Sequence, residues 1–100
     1  MASVVVSPAA RQDLIDIWEY IAEDSINSAD TVIHTIQDKF NLLSQQPSIG
    51  HRRTDLTNRP VLFWPVYNYL IVYKNGSAPL EIVRVLSGYR NLIEILGATG

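Results

Sequence analysis

Among the side chains able to move a proton or hold an anion, six are candidates for chemistry: His51, Arg52 and Arg53 in one cluster, Arg84 further on, and Tyr89 with Arg90 near the end. A histidine beside two arginines has the ingredients for proton transfer next to a stabilised negative charge. The same triplet in a polar connection is, by itself, an ordinary solvated cluster, or a contact for an acidic partner. Arg84 stands between Val83 and Val85, and strand alternation puts it on one face with Ile82 and Leu86. A guanidinium among apolar neighbours needs an ion partner or an exit to solvent, so its first reading is structural and contact with another molecule the second. His34 falls beside Asp30 and Asp38 on the polar side of a helix and is expected to be exposed. The chain has no cysteine and only two histidines, far apart and without the i, i+4 spacing of a helical metal site, so no metal site is expected.

Phe63, Trp64, Tyr67, Tyr69 and Tyr73 resemble a stacking platform for bases at first sight. Such platforms interleave aromatics with basic residues along a groove, yet Lys74 is the only Lys or Arg between Val61 and Pro79. Packing is the better reading. The formal net charge is −2 and the pI about 5.5, whereas proteins that hold nucleic acid through many phosphates are strongly basic.

These residues must be positioned by a single domain, since the chain has 100 residues, enough for one hydrophobic core. The stretch from Val61 to Leu86 is rich in β-branched and aromatic residues and is broken at Tyr67-Asn68 and at Asn75-Gly76, which predicts three antiparallel strands in a meander. Ser3–Val6 predicts a first strand. Ser7 is a good N-cap and Pro8 fits the first helical position, so a helix should run from Pro8 to about Asp24. Its apolar stripe is Ala10, Leu14, Ile17, Trp18 and Ile21, with Asp13, Asp16, Glu19 and Glu23 on the other side. A second helix, capped by Asn27 or Ser28, carries Ala29, Val32, Ile33, Ile36, Phe40 and Leu43 and ends near Gln45 before Pro47. The short break between them makes the helices antiparallel neighbours. Gln46–Arg59 is a polar connection, and Tyr89–Leu96 predicts a short C-terminal helix.

The expected architecture is therefore α+β: an N-terminal strand and a two-helix hairpin packed on an antiparallel sheet, with Leu14, Trp18, Ile21, Ile36, Phe40, Tyr69, Ile71 and Ile82 buried. No segment approaches the roughly 20 apolar residues of a membrane span. With no basic stretch leading a signal sequence at the N-terminus, a cytoplasmic protein without membrane contact is expected.

Four stretches carry a family resemblance: "VSPAARQDLIDIWEYIAEDS", the turn Pro47-Ser48-Ile49-Gly50-His51-Arg52-Arg53, the strand Tyr69-Leu70-Ile71-Val72-Tyr73, and "EIVRVLSGYRNL". In this order and spacing they resemble ParE-type toxins, known as plasmid stabilisation toxins, of the RelE/ParE superfamily of bacterial toxin–antitoxin modules. The resemblance covers nearly all of residues 1–100. It implies a RelE/ParE-like fold and a toxin held in a hetero-oligomer by a ParD-like antitoxin. It also implies DNA gyrase as the target, operator DNA reached only through the antitoxin, and no cofactor. The related RelE branch consists of ribosome-dependent mRNA nucleases. These need a base for the 2′-hydroxyl, an acid for the leaving oxygen and cations for the phosphorane. Only Arg84 and Tyr89 sit where such a set could be matched, neither completes it, and the C-terminal segment offers neither His nor Lys. A toxin acting by binding is thus the expectation, with a nuclease as the alternative and a relic that only binds antitoxin as a third. On this reading Arg84, Tyr89 and Arg90 contact the target. Ile15, Trp18 and Ala22, on the widened flank of the first helix, contact the antitoxin together with Arg52 and Arg53.

Overall fold

Ser7 makes the first corner. The computed structural model describes residues 4–55, 57–74, 76 and 79–87. In it β1 (Val4–Val6) ends at Ser7, whose hydroxyl accepts from the Ala10 N–H at 3.0 Å and donates to the Val83 carbonyl at 2.8 Å. One side chain thus caps a helix and closes a strand edge. Pro8 opens α1 (Pro8–Ala22), where its missing N–H is harmless. Three residues later α2 (Ile26–Gln45) begins, capped by Ser25, whose hydroxyl accepts from the Ser28 N–H at 3.1 Å. The cap is therefore Ser25 rather than Asn27 or Ser28. All three are nearly equal cappers, and packing decides between them: a start at Ile26 leaves Ala29 fully buried.

The sheet order is β1-β4-β3-β2, with β2 at Val61–Val66, β3 at Tyr69–Lys74 and β4 at Leu80–Ser87. β2, β3 and β4 form the expected antiparallel meander. β1 runs parallel to β4, pairing Val4 with Leu80 and Val6 with Ile82, so the sheet is mixed and not antiparallel throughout. Alternation marks the faces of a strand but carries no information about its direction beside a partner distant in sequence.

Two turns need positive φ. Tyr67, at +54°, opens the two-residue link between β2 and β3, and Gly76, at +81°, lies between β3 and β4. On the outer side of β2 the Phe63 N–H and carbonyl bond to His51 at 2.8 and 2.9 Å. Pro65, two residues on, faces the same edge, where a missing N–H breaks no ladder bond.

The main core lies between helices and sheet and includes Ile36, Phe40, Leu43, Ile71, Tyr73 and Ile82. A second apolar cluster (Val61, Phe63, Leu70, Val72, Leu86) occupies the outer sheet face. Ile36, Phe40, Ile71 and Ile82 are buried as expected, while Leu14, Trp18, Ile21 and Tyr69 are half-buried. Leu14, Trp18 and Ile21 belong to a helical stripe wider than the sheet contact, and Tyr69 opens β3 at the strand's end, so each keeps part of its surface in water. The expected C-terminal helix, Tyr89–Leu96, lies outside the described residues.

Candidate functional site

Arg84 is held from the helical layer. Its Nε and Nη2 donate to the two carboxylate oxygens of Asp13, each at 2.8 Å, and Oδ2 also accepts from the Val85 N–H at 2.9 Å. Pairing with β3 shows why. Val72 faces Arg84 but Tyr73 faces Ile82, which leaves Val83 as an extra residue in β4. The bulge places Ile82 and Val85 in the helix-side core and Leu86 in the outer cluster, so Arg84 does not share one face with Ile82 and Leu86. β1 pairs with β4 only as far as Ile82, and beyond that point Ser7 and Asp13 satisfy the strand edge. Asp13 was expected on the outer side of α1. It lies instead at i+3 from Ala10 and i−4 from Ile17, both buried, and its side chain is 11% exposed against 29% for Arg84. The Asp13 hydrogen bonds raise the Arg84 pKa above its ordinary value, and burial only partly offsets them.

The basic cluster is positioned from a different side. Tyr73, fully buried in β3, donates its phenol to the Pro47 carbonyl at 2.6 Å and accepts from the Gly50 N–H at 2.9 Å. These bonds fix the short 3₁₀ turn Pro47–Ile49 and, with it, the start of His51-Arg52-Arg53. Gly50 is needed here for space: a Cβ would collide with the Tyr73 hydroxyl and come within 2.8 Å of its ring. His51 then stacks on Trp64, with ring centroids 6.0 Å apart and planes 4° from parallel. Arg52 is exposed, and Arg53 forms a two-pronged pair with Asp55 at 2.9 and 3.0 Å. That pair holds the Asp55 carboxyl below its ordinary value.

Burial pushes the Tyr73 phenol up from its usual 10.0. A neutral phenol favoured by the fold contributes stability below its unfolded pKa and loses it as pH rises through the folded value. Tyr73→Phe is expected to cost about 2 kcal/mol at neutral pH, because the Gly50 N–H and Pro47 carbonyl lose their partner. It should also flatten the loss of stability on going to about pH 11. Urea unfolding at both pH values checks this, and wild-type stability with a wild-type pH slope in the variant would contradict it.

On α1, Ile15 is 51% exposed, whereas Trp18 and Ala22 are half-buried and the Trp18 indole N–H donates to Asp30 of α2 at 2.8 Å. The expected antitoxin contacts therefore fall in two places. Ile15, Trp18 and Ala22 ride on the helix that packs against β4, and Arg52 and Arg53 follow the outer edge of β2. Arg84, Val72, Phe63 and His51 lie on one cross-strand row, so Arg84 and His51 stand three strand spacings apart, about 14 Å. The Arg84 side chain is turned to α1. Tyr89 and Arg90 lie outside the described residues. Asp13 and Tyr73 were missed from the sequence as positioning residues. The signal for Asp13 was a carboxylate in register with a buried helical stripe. Tyr73 gave no signal beyond its type, because its partners Gly50 and Pro47 lie in the connection ahead of β2.

Among the described residues, no His, Cys, Asp or Glu side chains gather in threes to hold a metal ion, and no helix is long and apolar enough to cross a membrane.

The family described as ParE toxin of type II toxin–antitoxin system, parDE, matches residues 4–92. This chain is a member of the ParE toxin family. Its fold is similar to that of a chain of the chromosomal ParDE TA system from P. aeruginosa. The TM-score is 0.73 at 18% identity, over 88% of this chain and 97% of that one; at that identity the likeness is one of fold. No curated protein matches. Within this ParE-family chain, β1, the helical hairpin and the meander all fall inside the matched residues, as do Asp13, Arg84 and the basic cluster.

Proposed function

We propose that the chain is the toxin of a type II pair, held in a hetero-oligomer by a ParD-like antitoxin and acting in the cytoplasm on DNA gyrase by binding. Family membership across residues 4–92 carries this reading. Binding rather than catalysis is supported by the divergence of the acid–base candidates. His51 sits at the outer edge of β2, while two arms of the Arg84 guanidinium are committed to Asp13. A nuclease needs base, acid and cation around one phosphate. Arg84, whose side chain keeps 29% of its surface exposed, and Tyr89 and Arg90 after it, form the target contact. A net charge of −2 favours reaching operator DNA through the antitoxin.

The antitoxin covers Ile15, Trp18 and Ala22 and extends an acidic stretch to Arg52 and Arg53, coupling apolar burial to charge pairing. Arg52→Glu with Arg53→Glu is expected to weaken binding of the antitoxin about tenfold at low salt and much less at high salt. Titration of the purified proteins at two salt concentrations tests it. Wild-type affinity of the double variant at low salt would remove the basic cluster from the interface.

A further inference from the structure

The end of the molecule at the α1–α2 turn and the β2–β3 tip differs in character from the basic cluster. Residues 19–30, which hold the turn and the adjoining helix ends, carry Glu19, Glu23, Asp24 and Asp30 and no Lys or Arg. Three of the most exposed large apolar side chains occur at this end: Tyr20 (75%) in the last turn of α1, Ile26 (60%) in the first turn of α2, and Tyr67 (62%) at the β2–β3 tip. Tyr67 leans over α2, its hydroxyl 3.3 Å from the Thr35 Oγ1. Between the ring and the helix lies a groove of about 290 Å³ lined by Asn27, Ser28, Thr31, Val32 and Tyr67. Its floor and roof are apolar, and it is wide enough for one aliphatic side chain. Glu23 and Asp24 stand exposed at the helix turn beside Asn27.

We infer that this groove receives an apolar side chain from a lysine- or arginine-bearing segment of the antitoxin, an inference that rests on the reading above. Sign of charge selects the occupant. An acidic segment laid across Glu23 and Asp24 would meet like charges within a Debye length and no Lys or Arg of residues 19–30. A basic amphipathic segment pairs with them while its anchor fills the groove beside Val32. The antitoxin is then two-signed: acidic where it meets Arg52 and Arg53, basic where it crosses the helix turn and the Tyr67 tip.

The test is the dissociation constant of the full-length chain with its antitoxin at about 50 and 300 mM salt. Thr31→Trp fills the groove from an exposed position and should weaken binding about tenfold or more at both salt concentrations. Glu23→Lys with Asp24→Lys should weaken it about tenfold at low salt and far less at high salt. Thermal melts confirm that each variant is folded, and either folded variant alone is decisive. Affinity within twofold of wild type, or tighter binding of the Lys variant, overturns the inference. Tight wild-type binding disturbed only by the Arg52 and Arg53 substitutions would also overturn it and leave the antitoxin reading intact. Absence of wild-type binding overturns both.

Discussion

Phe40→Ala is expected to lower unfolding free energy by about 3–5 kcal/mol, the range for truncating a buried aromatic ring. Phe40 is 4% exposed and packs with Ile36 and Leu43 in the layer between α2 and the sheet. Truncation removes the ring from the middle of that layer, and helices capped at their starts by Ser7 and Ser25 leave little room for collapse into the cavity. Domains of this size are stable by only about 5–15 kcal/mol, so the variant should populate unfolded chain at physiological temperature. Urea unfolding monitored by circular dichroism measures it. A change below about 1 kcal/mol would place Phe40 outside the core.

Asp13→Ala should cost about 3 kcal/mol. That is the lower end of the range for breaking a buried ion pair, because Arg84 keeps 29% of its side chain in water. The substitution strands two guanidinium arms and also the Val85 N–H at the bulge. Asp13→Asn keeps an acceptor and should cost less, about 1–2 kcal/mol. Arg84→Met leaves the Asp13 carboxylate with the Val85 N–H alone. Combining it with Asp13→Ala should therefore cost well below the sum of the single changes, as expected for residues sharing one network. Strict additivity in the same unfolding measurements would mean that Asp13 and Arg84 do not act as a unit.

The parts of the fold legible in the sequence are those set by local periodicity. Ala10, Leu14 and Ile17 at helical spacing define the inner side of α1, and the break at Tyr67-Asn68 places the β2–β3 turn where the chain makes it. What escaped depends on distant partners. The parallel pairing of β1 with β4, and the bulge that gives β4 an extra residue against β3, leave no trace in alternation. Asp13 read as solvent-facing because a charge on a helix normally is. Only the strand end beyond Ile82, where β1 stops, supplies the Arg84 head and the Val85 N–H that draw it inward. The candidate site was legible as residue types and less so as an arrangement. His51-Arg52-Arg53 and Arg84 stand out by composition, but their separation across three strands follows from the sheet order.

DNA supercoiling by purified gyrase, with the chain added alone and then with its antitoxin, tests the proposed activity most directly when a translation reaction is run beside it. The expected result is supercoiling blocked by the chain and restored by the antitoxin, with protein synthesis continuing. Undiminished supercoiling together with ribosome-dependent cleavage of messenger RNA would contradict it.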